Sequence, residues 1–155
     1  MRYATLSAAL LLLASPAARA QEAEAKALAQ EILDQGAALY DKEDAAAMAA
    51  TYTDDAELIL IAKDQSSGAY RTQVTRGRGA IQSFYQKLFD DRPAGAKAKN
   101  MVEFAHRIGP DLLLIHGRFS PNGDQGSPIP FTQVRTRQGD RWLILNLQVY
   151  VVNEG

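Results

Sequence analysis

The C-terminal third of the chain constrains the fold most. Four runs of strand length follow one another there, "MVEFAHRI", "LLLIHGRFS", "FTQVRTR" and "RWLILNLQVYVV". They are separated by "GPD", "PNGDQGSPIP" and "QGD". Each run alternates or is largely apolar, and each gap is rich in Gly, Pro, Asp and Asn, the residues that turn a backbone. Gaps this short join antiparallel neighbours, because a parallel return needs a crossover of a dozen or more residues. The sequence therefore predicts an antiparallel meander.

A sheet of this kind needs a cover, and the segment just upstream supplies one. "GAIQSFYQKLF" sets Ile81, Phe84, Tyr85, Leu88 and Phe89 at i, i+3, i+4, i+7 and i+8, a wide apolar stripe on one helix face. "DDRPAGAK" ends that helix. Residues 21–40 read as another helix, with Leu28, Ile32, Gly36, Leu39 and Tyr40 roughly on one side and glutamates in the first turn, where they suit the dipole. A short helix follows, with Asp41 as its expected cap and Asp44 three residues on. "ELILIA", Glu57 to Ala62, is a short strand, and "KDQSSGAYRTQVTRGRG" is a long loop or irregular hairpin. Helix, helix, strand, helix and meander together imply an α+β fold, with three helices of the N-terminal half packed on one face of a curved antiparallel sheet.

Strand alternation then assigns faces. In "MVEFAHRI", Val102, Phe104, His106 and Ile108 share one side, which is expected to look inward. A two-residue turn at Pro110 and Asp111 opposes Gly109 with Leu112, so His106 shares its face with Leu113 and Ile115. His116 falls on the other face with Glu103 and Arg107. Histidines on opposite faces do not share a metal ion, so no metal site is expected. An inward His106 is a candidate general acid or base. On the last strand, Leu143, Leu145, Leu147, Val149 and Val151 form one face and Trp142, Ile144, Asn146, Gln148 and Tyr150 the other. The second face suits a homodimer interface.

The beginning of the chain, "MRYATLSAALLLLASPAARA", has an early arginine, an apolar run and a small-x-small ending at Ala18 to Ala20. It reads as a secretory signal peptide over residues 1–20, cleaved after Ala20, leaving a single domain at 21–155. The protein is expected to be exported, to the periplasm or beyond, with no membrane association after cleavage. The chain has no cysteine, which excludes both disulfides and a cysteine-linked lipid anchor. Its 17 basic and 18 acidic side chains give a net charge of −1, with no basic stripe for nucleic acid.

Three stretches carry a resemblance. "YTDDAELIL", "GRGAIQSFYQKLF" and "GDRWLILNLQVYVV" resemble the first strand, third helix and closing strand of the nuclear transport factor 2-like superfamily, and of its small SnoaL-like members in particular. The resemblance implies a cone-shaped sheet whose concave face, under the helices, encloses a pocket. It also permits a test of ketosteroid isomerase chemistry. The position of that group's general-base aspartate is Leu60 here, its oxyanion tyrosine is Gly36, and its protonated aspartate is Thr132. Two supporting tyrosines have partners in Tyr52 and Tyr85. A leucine accepts no proton, so that reaction is not expected, and Asp54 and Asp55 precede the base position without occupying it. They are expected to form a helix-to-strand corner.

The resulting expectation is an exported binding domain for a small apolar or mildly polar molecule, without a cofactor. Tyr40, Tyr52, Tyr85, His106 and Thr132 are its expected polar contacts. The alternatives are a cofactor-independent lyase or isomerase using His106, and a homodimeric interaction module.

Overall fold

The computed structural model describes residues 16–151 apart from 124 and 126, so most of the expected signal peptide lies outside the described residues. Helix α1 spans Pro16–Tyr40, α2 Ala45–Ala49 and α3 Arg78–Asp90. The strands are β1 Tyr52–Lys63, β2 Tyr70–Arg76, β3 Lys99–Ile108, β4 Leu112–Ser120, β5 Ile129–Gln138 and β6 Arg141–Val151. They form one curved, six-stranded sheet in the order β2-β1-β6-β5-β4-β3. The fold is α+β as expected, and the meander β3 to β6 is antiparallel throughout. One ladder differs: β1 lies parallel to β6, because the chain passes through β2 and α3 and the meander between them.

The stripe on α3 buries Ile81, Tyr85 and Phe89, while Leu88 at its edge stays 38% exposed. Helix α1 buries Ala25, Ala29, Leu33, Ala37 and Tyr40, and the three alanines let it lie close against β3. Strand β3 is a sheet edge, and α1 closes it. Gln30 accepts from Val102 N at 3.0 Å and donates to Asn100 O at 3.1 Å, occupying backbone groups that would otherwise invite another strand.

Several local expectations are corrected. The cap of α2 is Asp44, whose carboxylate accepts from Ala47 N at 2.9 Å. Asp41 is drawn instead to Arg92 and Ala98 N. Of the two readings of the segment after β1, the hairpin holds: β2 pairs antiparallel with β1 from Glu57↔Arg76 to Lys63↔Tyr70. Asp54 and Asp55 stand inside β1 and not at a corner, in a stretch where the ladder to β6 is interrupted between Tyr52 and Glu57. Asp54 is exposed and holds Arg78 at 2.7 Å, and Arg78 also donates to Tyr52 O at 2.7 Å. The aspartate pair is thus part of an irregular strand held by an arginine.

The largest correction concerns which way β3 faces. The turn contains three residues, Gly109, Pro110 and Asp111, so Ile108 opposes Leu112. Gly109 takes φ 70°, a conformation that favours glycine and permits this longer turn. The register slips by one residue from the expected pairing, and a one-residue slip turns every side chain over. A second shift between Val102 and Phe104 restores Val102 to the inside. The inward residues of β3 are therefore Val102, Ala105 and the half-buried Arg107, with Phe104, His106 and Ile108 on the exposed outer face. His106 opposes Leu114 and its ring lies 6.3 Å from that of Phe104. His116 opposes Phe104, so both histidines share the outer face, and Glu103 lies 3.3 Å from His116.

Strand β6 is corrected for the same reason. Its ladder to β5 shifts between Val134 and Arg135, pairing Val134 with Asn146 and Arg135 with Ile144. Leu145 is the extra residue. Trp142 and Ile144 thereby join Leu147, Val149 and Val151 on the inside, leaving Asn146, Gln148 and Tyr150 outside. Trp142 and Tyr150, expected on one interface, lie on opposite faces of the sheet.

With these bulges in place, three inward rows cross the sheet. They read Tyr52–Ile144–Arg135–Leu113–Arg107, then Leu58–Leu147–Gln133–Ile115–Ala105, then Leu60–Val149–Phe131–Gly117–Val102.

Candidate functional site

The helices do not fill the space above these rows. A cavity of about 720 Å³ lies between α1, α3 and the sheet, a size typical of small-molecule sites. Leu58, Leu60, Leu147, Val149 and Phe131 floor it, and Leu28, Ile32, Leu39 and Phe84 wall it from the helices. Gly36 of α1 also borders it, and a Cβ added there would meet nothing within 4 Å. The rim is polar, with the exposed residues Glu31, Gln35, Asp140 and Arg141.

Of the expected contacts, Tyr40, Tyr52 and Tyr85 line the cavity. The hydroxyls of Tyr52 and Tyr85 share a buried hydrogen bond of 2.7 Å. Burial pushes both phenols up, Tyr85 to about 12 and Tyr52 well above its ordinary value, so both are neutral donors and acceptors near neutral pH. Tyr40 is raised by burial as well, against the opposing pull of Arg92, whose guanidinium stands 4.5 Å over its ring.

His106 and Thr132 do not reach this space. Thr132 points outward between Phe131 and Gln133, and its hydroxyl meets His116 Nδ1 at 3.2 Å. His106 borders a separate pocket with Glu24, Arg107 and Arg137. The general acid–base reading through His106 thus loses its geometric basis. Among the described residues no group of three His, Cys, Asp or Glu side chains is placed to hold a metal ion.

Polar residues that the sequence reading missed also line the cavity, Gln133, Arg135 and Trp142 among them. Arg135 is 5% exposed, in the same row as Tyr52. Its Nε donates to Gln133 Oε1 at 2.9 Å and its Nη1 to the Trp142 carbonyl at 3.0 Å. Burial pushes the guanidinium down to about 10, while Tyr52 and Tyr85 favour its charge, so it remains a cation at neutral pH. A signal for these residues was available. Phe131, Gln133 and Arg135 share one strand face, and a phenylalanine heading that face is a stronger pointer inward than the threonine beside it.

The fold is the nuclear transport factor 2-like, cystatin-like fold. Similar solved structures include a domain of unknown function with a cystatin-like fold from Nostoc punctiforme, with 19% identity, 82% of this chain and 76% of that chain covered, and a TM-score of 0.59. A nuclear transport factor 2-like protein of unknown function from Shewanella oneidensis matches at 18% identity over 77% of this chain and 93% of its own, with a TM-score of 0.58. One with a cystatin-like fold from Novosphingobium aromaticivorans matches at 16% over 95% and 94%, with a TM-score of 0.54. At these identities the likeness is one of fold, and function has to be argued from the site. No family profile and no curated protein sequence matches the chain.

Proposed function

We propose that the protein is an exported binding domain whose cavity holds a small, largely apolar molecule. The observation that carries this reading is the cavity itself, about 720 Å³ between α1, α3 and the sheet. Interiors are normally packed without voids of such size, and the side chains around this one are chiefly aliphatic and aromatic. The polar groups within it are few and fixed, which orients a ligand without binding it by polarity alone. The catalytic alternative has no comparable support, because His106 stands on the other side of the sheet from the cavity.

The chain's single tryptophan, Trp142, borders the cavity and gives a direct assay. Ligand entry should change its emission. Gly36→Phe introduces a ring at the cavity wall, at a position where an added Cβ meets nothing within 4 Å. This variant should fold and lose at least 10-fold in affinity for any ligand that reports through Trp142, since the ring takes up space the ligand needs. Unaltered binding in a folded Gly36→Phe protein would refute occupancy of this cavity.

Export is supported by the arrangement of α1. Its residues 16–20 are all exposed, and its first buried residue is Ala25. Of the described residues, cleavage after Ala20 removes only exposed ones. The mature protein should carry Gln21 at its N-terminus, and a mass that retains residues 1–20 in the exported fraction would contradict this.

A homodimer is the proposed assembly, now through the outer sheet face. The row Val74–Ile59–Gln148–Thr132–His116–Phe104 crosses that face, with Val74 and Phe104 40% and 41% exposed. Tyr150→Glu should yield monomers, because an unpaired carboxylate is costly to bury in an interface. Sedimentation of the wild-type protein as a monomer at micromolar concentration would exclude this pairing.

A further inference from the structure

We propose that the cavity takes an amphipathic monocarboxylate, an apolar body bearing one carboxylate, whose charged end is held by Arg135. The proposal rests on the small-molecule reading above and narrows it to a ligand class.

Several other arginines of this protein are given a carboxylate, while the exposed Arg137 and Arg141 donate to backbone carbonyls. Arg92, whose side chain is 3% exposed, has the Asp41 carboxylate at 2.7 Å. Arg71, Arg76 and Arg78, all far more exposed, each have a carboxylate within 2.7 Å. Arg135 is as hidden as Arg92, yet no carboxylate pairs with it among the described residues. Its two hydrogen bonds go to neutral oxygens, those of Gln133 and the Trp142 carbonyl. A guanidinium has five donors in a planar fork, and two bonds leave Nη2 without a partner. Nη2 is not sealed in the protein either: among the described residues the buried side-chain nitrogen and oxygen atoms without a partner are Thr53 Oγ1, Arg92 Nε and Arg107 Nε. Arg135 borders the cavity, so the unused side of its fork opens to that space.

A buried cation without a counter-charge is a cost that a fold does not usually carry. An anionic ligand supplies the missing charge. The planar fork matches the two oxygens of a carboxylate. The charge count favours a monoanion: the cavity interior offers one cation, and the rim carries both signs in Glu31, Asp140 and Arg141, so one carboxylate is what the interior matches. The apolar part is equally defined. Arg135 lies in the first inward row, and the next rows present Leu58, Leu147, Leu60, Val149 and Phe131. A ligand with its carboxylate at the first row lays its body along the others.

The test compares acids with matched neutral ligands. Dodecanoate, naphthoate and their primary amides are titrated into the wild-type protein and into Arg135→Met, read by Trp142 emission and calorimetry. Wild type should bind at least one acid 10-fold or more tighter than its amide, as a charge-assisted hydrogen bond implies. Arg135→Met should bind the amides as wild type does and lose about 10- to 100-fold for the acid. Without ligand it should be at least as stable as wild type, because an apolar side chain replaces an unpaired buried charge. A merely structural arginine predicts the reverse, a destabilised variant with acid and amide weakened alike. Should Arg135→Met fail to fold, Arg135→Lys keeps the charge and loses the fork, and a reduced acid-to-amide ratio in it supports the proposal. Equal affinity of wild type for acid and amide overturns the proposal and leaves the small-molecule reading intact. Binding of none of the four probes overturns both.

Discussion

Asp41→Ala should lower the stability of the protein by about 3 kcal/mol, the low end of what breaking a buried ion pair costs. The reason lies in what Arg92 holds together. From the end of α3 its Nη1 donates to Tyr40 O at 3.1 Å, and its Nη2 to Asp41 Oδ1 at 2.7 Å, Ala96 O at 2.8 Å and Pro121 O at 3.3 Å. One side chain thus ties the end of α1, the segment before β3 and the segment after β4. Asp41 is the principal counter-charge and also accepts from Ala98 N at 2.8 Å. Without it, Arg92 is left among carbonyls, with only the more exposed Glu43 at 3.5 Å in partial compensation. That compensation is why the low end of the range is expected. Urea titration would measure the loss, and a change below about 1 kcal/mol would show that Asp41 is not the partner that matters.

The same pair predicts an acid response. Burial alone would raise the Asp41 carboxyl, but the hydrogen bonds from Arg92 and Ala98 outweigh it and hold the group below its ordinary 3.8. The folded state therefore favours the ionised form. Its contribution is present above that ordinary value and is lost as pH falls through the lower folded value. The stability gap between wild type and Asp41→Ala should accordingly close in acid, below about pH 4. A gap independent of pH would mean that the carboxylate's charge is not what stabilises.

Gly117→Ala should cost about 2–3 kcal/mol, a large effect for one methyl group. Gly117 lies on β4 opposite Val102, next to the irregularity in β3. A Cβ there would stand 2.4 Å from Met101 O and 3.0 Å from Phe131 Cζ. The phenylalanine ring can turn, but the carbonyl belongs to the neighbouring backbone and moves only if the β3–β4 ladder shifts. The variant should also disturb the cavity, since Phe131 is part of its floor. Thermal and urea unfolding would report the stability loss, and Trp142 emission the local change. A variant as stable as wild type would show that the two strands separate more freely than the close approach implies.

Elements that depend on local pattern alone are legible before any tertiary contact is known. The α3 stripe from Ile81 to Phe89 needs only the helical period, and the strands of the meander need only alternation and turn residues. The order of these elements, together with the motifs around Tyr52 and Trp142, carried the α+β fold and placed Tyr40, Tyr52 and Tyr85 in the cavity. What the sequence could not determine was the face of each strand near the site. A strand has a period of two, so one extra residue reverses every assignment beyond it. Leu145, the three-residue turn at Gly109 and the shift after Val102 each add such a residue. Whether a residue is extra is decided by the neighbouring strand, not by its own side chain. Tertiary pairing therefore moved His106 outside and brought Trp142 in. It also overrode the rule that polar residues face water, turning Gln133 and Arg135 into the cavity beside Phe131. Alternation reads a charged residue as exposed because burying it is costly. Arg135 is buried at that cost, and its surroundings, two neutral acceptors and an open cavity, exist only once β5, β6 and β1 lie side by side.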